Sequence, residues 1–168
     1  MKKNIVFLGI FFFIFNCLLI HQAFSAEINT HINLFIDDTG SLKKSDPHDL
    51  RLKAAKIFLS FIFLKENTQL NAYSFNYKIK EKIKTEKFDY YNMKNHIKTL
   101  ESIDKSGPWT DIDNVIFYSD KKEKELFGDY RCYNLIFTDM LDDYGDFDIN
   151  QLKKIIEASS CNYFLCVF

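Results

Sequence analysis

Apolar positions along the chain fall into short blocks whose periodicity changes from one block to the next. Residues 32–36 (INLFI) form a short apolar run, the pattern of a strand buried on both faces. Residues 133–138 (YNLIFT) repeat that pattern, and residues 70–75 (LNAYSF) and 163–168 (YFLCVF) read as further strands. Residues 77–84 (YKIKEKIK) alternate instead, with lysines on one face and Tyr77, Ile79 and Ile83 on the other. A lysine-studded alternating strand suits a sheet edge, where charge discourages pairing with another molecule.

Between these blocks the period is helical. Asp46-Pro47 reads as a helix start, with a carboxylate cap and proline in the first turn. The stretch that follows is amphipathic at first and apolar nearly all round from Ile57 to Leu64, which predicts a helix lying deep against a sheet. Asn92 is placed to cap a helix with Met93, Ile97, Leu100 and Ile103 on one stripe; SGPWT (106–110) is a loop, and Ile112, Val115 and Ile116 begin another helix. Ile149, Leu152, Ile155 and Ile156 mark the last one. Strands alternating with helices predict a three-layer, doubly wound, Rossmann-like α/β domain: a mainly parallel sheet, helices on both faces and one antiparallel edge strand.

The first residues belong to a different pattern. Lys2 and Lys3, an apolar stretch over 5–20 and Ala23-Phe24-Ser25 have the layout of a secretory signal peptide. This divides the 168 residues into a leader, 1–25, and a single domain, 26–168, exported to a periplasmic or secreted location with no membrane span left after cleavage. Cys17, preceded by Phe15 and Asn16, does not sit in a lipoprotein box. The formal net charge of −1 includes the two leader lysines, and such a balance gives no support for nucleic-acid binding. Cys132, Cys161 and Cys166 remain in the domain without a C-x-x-C pair, which argues against zinc; an oxidising compartment permits one disulfide. Cys132 and Cys161 each fall next to a predicted strand of the same sheet and are the expected pair, with Cys166 a buried thiol inside the last strand.

The candidate chemistry lies at strand ends. Asp37 and Asp139 each follow an apolar strand, and ligands of open parallel sheets bind at the carboxyl ends of strands. Asp37, Thr39 and Ser41 are spaced two apart, so an extended loop turns all three side chains the same way. Thr110 lies in a Gly-Pro loop before a helix, on the same rim. Two carboxylates and three hydroxyls are hard oxygen donors that suit Mg²⁺, Mn²⁺ or Ca²⁺. Such residues are also ordinary turn formers.

Asp37-x-Thr39-x-Ser41, then Asp46-Pro47 with Arg51, then Gly107-x-x-Thr110-Asp111, then Ile136-Phe137-Thr138-Asp139 resembles a von Willebrand factor type A (VWA) domain from about Ile32 to the C-terminus. The resemblance implies a metal-ion-dependent adhesion site of Asp37, Thr39, Ser41, Thr110 and Asp139. In it the loop hydroxyls bind the cation, the aspartates hold coordinated waters, and one position is left for the carboxylate of a protein partner. Right-handed crossovers predict a strand order of 3-2-1-4-5, with Asp37 and Asp139 on neighbouring strand ends. Three departures stand out. Thr39 replaces the usual serine, Met140 replaces the usual glycine after Asp139, and the chain stops at Phe168, short of the sixth strand and last helix common in the family.

Further contacts to a partner are expected from Trp109, beside Thr110, and from Asp142 and Asp143 in the acidic stretch after Asp139. The function implied is a non-enzymatic, metal-dependent adhesion-type domain. The alternatives are a metal-dependent phosphatase or nuclease using the strand-end aspartates, and a domain with no metal used as a scaffold. A phosphatase of the Asp-x-Asp type would want a carboxylate at Thr39, and no histidine or lysine is evidently placed as a general base.

Overall fold

The computed structural model of the protein describes residues 29–62, 68–84, 90–126, 129–140 and 149–168. The expected leader, Asp142 and Asp143 lie outside the described residues. The elements in chain order are β1 (Asn29–Asp37), α1 (Leu42–Ser45), α2 (Leu50–Ile62), β2 (Thr68–Phe75), β3 (Ile79–Lys84), α3 (Tyr90–Glu101), α4 (Ile112–Glu123), β4 (Tyr130–Thr138), α5 (Ile149–Ala158) and β5 (Asn162–Val167).

The five strands form one sheet in the order β3-β2-β1-β4-β5, with β1 parallel to β2 and β4, β4 parallel to β5, and β3 antiparallel to β2. β1 is central because it can afford no wet face: Ile32, Leu34 and Ile36 join one core cluster with Leu52, Ala55, Leu59 and Leu100 of α2 and α3. Phe35 joins the other, with Ile112, Val115 and Ile116 of α4 and Leu152 of α5. Each such fully buried Leu or Phe contributes about 1.5–3 kcal/mol over an exposed one. Three asparagines tie the middle strands laterally. Asn71 Nδ2 donates to Asn33 Oδ1 at 3.1 Å, and Asn33 Nδ2 donates to Asn134 Oδ1 at 2.9 Å. The three are direct cross-strand partners, so any slip in register would unpair a buried amide.

Four expectations are corrected here. The α2 helix is not buried all round: Ile57 and Phe61 are 60% and 67% exposed, because only the Leu52, Ala55, Leu59 and Ile62 face meets the sheet. Asn92 lies inside α3, which begins two residues earlier, so it is not the cap. An irregularity in β3 at Lys82, opposite the step from Ala72 to Tyr73 of β2, shifts the register, pairing Ile79 with Phe75 and Ile83 with Ala72. Ile79 and Ile83 therefore pack into opposite cores and not on one face. Finally, Cys166 is half-buried, because β5 is an edge strand in the described sheet.

Cys132 and Cys161 are joined by a disulfide, with Cα atoms 4.4 Å apart. It lies towards the starts of β4 and β5, at the end of the sheet away from Asp37 and Thr138. No helix among the described residues is long and apolar enough to cross a membrane.

Candidate functional site

At the carboxyl end of β1 the chain leaves the sheet through Asp37-Asp38-Thr39-Gly40-Ser41 and turns into the one-turn helix α1. Asp37 is fully buried and both of its carboxylate oxygens accept hydrogen bonds. Oδ1 accepts from the Thr39 backbone N–H at 2.9 Å and from Thr39 Oγ1 at 2.6 Å, while Oδ2 accepts from Thr138 Oγ1 at 2.6 Å. Burial pushes its pKa up from the ordinary carboxylate value; those hydrogen bonds pull the other way, and the charge of Asp139 adds a further upward push.

Thr39 Oγ1 is the hub. It lies 3.0 Å from Ser41 Oγ and accepts from Thr110 Oγ1 at 3.0 Å, so the three hydroxyls predicted to converge do so beside Asp37. Thr110 is delivered by the loop before α4, whose N-cap Asp111 accepts from the Asn114 N–H at 2.9 Å. The two loops are stitched by backbone hydrogen bonds from Gly40 N to Gly107 O and from Gly107 N to Asp38 O, both 2.8 Å. Gly107 must lack a side chain: an added Cβ would stand 2.8 Å from both Asn76 Cβ and Asp38 Oδ1.

Asp38 points away from this cluster and accepts from Asn76 Nδ2 at 2.7 Å, holding the β2–β3 turn. It is buried, and burial raises its pKa against that hydrogen bond. Asp139 follows β4, the strand beside β1, and its Oδ2 accepts from Ser45 Oγ at 2.5 Å. Met140 adopts φ 62°, the left-handed conformation that a glycine would take without strain. Trp109 is 38% exposed on the rim, its ring 5.6 Å from that of Tyr77, over which Lys78 Nζ sits at 4.8 Å.

Sequence reasoning missed two participants, Thr138 and Ser45. Thr138 immediately precedes Asp139, but its bond to Asp37 exists only because β1 and β4 are neighbours. Ser45 belongs to α1, a helix too short to show a period.

The chemistry available follows from the spacing. Six oxygens around an ion at about 2.1 Å form an octahedron whose edges are roughly 3.0 Å. The Thr39–Ser41 and Thr39–Thr110 separations have that value, so the hydroxyls fit neighbouring corners of a small hard-cation shell. No group of three or more His, Cys, Asp or Glu side chains converges as a metal site among the described residues. A cation here would rest mainly on neutral hydroxyls.

No protein-family profile matches the chain, and no curated protein does. Solved structures do. The chain is similar to a von Willebrand factor type A structure from Catenulispora acidiphila, with a TM-score of 0.61 at 15% identity over 83% of this chain and 33% of that one. The fold is VWA-like. Similar too are the conserved hypothetical protein BatB from Bacteroides thetaiotaomicron (0.57, 18% identity, 82% of this chain and 65% of that one) and an aerotolerance-related membrane protein from Bacteroides fragilis (0.58, 17% identity, 82% and 66%). The VWA-like chain thus spans about two thirds of the two Bacteroides proteins and one third of the Catenulispora chain. In a VWA-like sheet the Asp37, Thr110 and Asp139 loops share one rim, and the geometry above is the content of that rim in this chain.

Proposed function

We propose that this chain is an exported, non-catalytic binding domain in which Asp37, Thr39, Ser41, Thr110 and Asp139 hold a divalent cation that captures a carboxylate on a protein partner. The observation that carries the proposal is the three-hydroxyl cluster at octahedral-edge spacing beside a buried carboxylate. The hydroxyls of Thr39, Ser41 and Thr110 would ligate the ion, with Asp37 and Asp139 orienting the hydroxyls and bound waters. Few anions in direct contact leave the ion electrophilic towards an incoming acid, and Mg²⁺ suits the set best, with Mn²⁺ or Ca²⁺ as substitutes. Trp109 and Tyr77 offer the partner an aromatic contact at the rim.

A binding role is favoured over hydrolysis by the state of two basic groups, Lys105 and His31. Lys105 is tied to the Asp49 carboxylate at 3.0 Å and to the Asp46 carbonyl, and His31 lies near the start of β1, away from the rim. Neither is poised as a general base.

The test uses the chain's single tryptophan. Paramagnetic Mn²⁺ bound beside Thr110 should quench Trp109 emission saturably, EDTA should restore it, and Asp37→Asn should remove the effect. Pull-down from the cell envelope with and without EDTA then reads partner capture. Absence of saturable quenching sinks the cation reading; metal-dependent turnover of a generic phosphodiester would favour the enzyme.

A further inference from the structure

We infer that Arg51 is a positioning residue for this site: one buried guanidinium fixes the loop carrying Asp37, Thr39 and Ser41 relative to the loop that leads to Thr110. The inference rests on the cation reading above.

Arg51 sits on the first turn of α2 and is wholly buried. Its Nε donates to the main-chain carbonyl of Asp37 at 2.8 Å, and its Nη2 donates to the main-chain carbonyl of Asp104 at 3.2 Å. Nη1 donates to Asp49 Oδ1 at 2.7 Å and stands 3.5 Å from Asp46 Oδ2. One planar fork thus reaches the end of β1, the loop before Gly107 and the turn before α2. Lysine cannot copy this, since its charge is a single point on a flexible stem. Burying a cation is unfavourable unless its donors are met, and a site serving only packing would take an apolar residue. Here the acceptors include one carbonyl from each of two site loops.

The placement has a geometric consequence. The Gly40–Gly107–Asp38 backbone bonds tie the two loops at one point. Arg51 ties them again at Asp37 and Asp104, and two ties fix tilt as well as distance. The Asp37 carbonyl it holds belongs to the same residue whose carboxylate orders Thr39. The fork is itself braced. Asp46 accepts the backbone N–H of Leu50 at 2.6 Å and of Arg51 at 3.1 Å, and Lys105 pairs with Asp49. Asp49 is held at φ 55°, a left-handed conformation unusual for a residue with a side chain, where its carboxylate meets both cations. Sites held in their binding geometry before the ligand arrives bind it more tightly.

Mn²⁺ affinity, read by Trp109 quenching and by the electron paramagnetic resonance signal of free Mn²⁺, tests this on the whole chain. Arg51→Lys should weaken Mn²⁺ binding about tenfold or more, the range seen when groups that orient metal ligands are removed. Asp49→Gly keeps the guanidinium and removes only its Nη1 anchor. Relief of the left-handed strain partly offsets the lost partner of the buried charge, so the melting temperature without metal should fall less than in Arg51→Lys, while Mn²⁺ binding weakens several-fold. Asp49→Asn keeps an acceptor and tolerates φ above zero, and should restore near wild-type affinity. Arg51→Lys and Asp49→Gly proteins that bind Mn²⁺ as wild type does would overturn the inference; if Arg51→Lys does not fold, Asp49→Gly decides. A wild-type chain that binds no Mn²⁺ overturns the cation reading, and this one with it.

Discussion

Thr110 Oγ1 donates to Thr39 Oγ1 at 3.0 Å, a side-chain contact between residues 71 positions apart. A turn satisfies its hydroxyls locally, usually on backbone two or three residues away. These two hydroxyls instead meet each other across separate loops, with Thr39 passing its own hydrogen to Asp37.

Mg²⁺ or Mn²⁺ should raise the melting temperature of the wild type. An ion that binds only the folded form stabilises it by about 2.7 kcal/mol at a hundredfold excess over its dissociation constant. Asp37→Asn should abolish the rise. It is preferred to Asp37→Ala, which would also strand the Thr138 hydroxyl and the Thr39 N–H at a cost of about 1–3 kcal/mol. Asp38→Asn is the control, because Asp38 is bonded to Asn76 and not to the hydroxyl cluster. Scanning calorimetry with and without EDTA reads all three proteins, and an undiminished response in Asp37→Asn would reduce the cluster to a turn.

Met140→Gly should stabilise the protein without metal. A residue with a Cβ in the left-handed region carries roughly 1–2 kcal/mol of strain, partly offset by the greater freedom of glycine in the unfolded chain. With φ at 62°, a net gain of about 0.5–1 kcal/mol is expected in urea titrations. A loss would mean that the Met140 side chain contributes packing worth more than the strain.

Acid sensitivity should change with His31. Burial holds this imidazole below its ordinary 6.5, against a smaller upward effect of Gln69, so the unfolded chain takes up the proton first. The stability from a neutral His31 is present above pH 6.5 and is lost as pH falls below it. His31→Gln should flatten the fall in melting temperature between about pH 7 and pH 5. Identical wild-type and variant profiles would remove His31 from the acid response.

Reduction should cost stability but not the site. The disulfide spans 29 positions, for which loop-closure entropy gives about 3–4 kcal/mol. Since Cys132 and Cys161 lie at the opposite end of the sheet, a Cys132→Ser, Cys161→Ser protein that stays folded should keep wild-type Mn²⁺ quenching. Loss of quenching in that folded variant would show that the bottom of the sheet is coupled to its rim.

The periodicity of this chain settled its class and much of its order. Short apolar runs bounded by turn residues read as strands, and separating them by helical stretches leaves a parallel sheet with crossovers, which the order β3-β2-β1-β4-β5 realises. The meeting of the Thr39, Ser41 and Thr110 hydroxyls beside Asp37 was legible because strand ends, two-residue spacing and the motif order that resembles a VWA domain are all readable along the chain. What local pattern does not carry is register and distance. One inserted residue, Lys82 of β3, sends Ile79 and Ile83 to opposite cores although their spacing puts them on one face. The bonds from Thr138 to Asp37 and from Ser45 to Asp139, the asparagine row, and the reach of Arg51 to Asp104 join residues between 38 and 101 positions apart. Such contacts depend on which strands became neighbours and how far each helix was carried over the sheet, quantities set by packing the whole chain at once and so decided only by the tertiary structure.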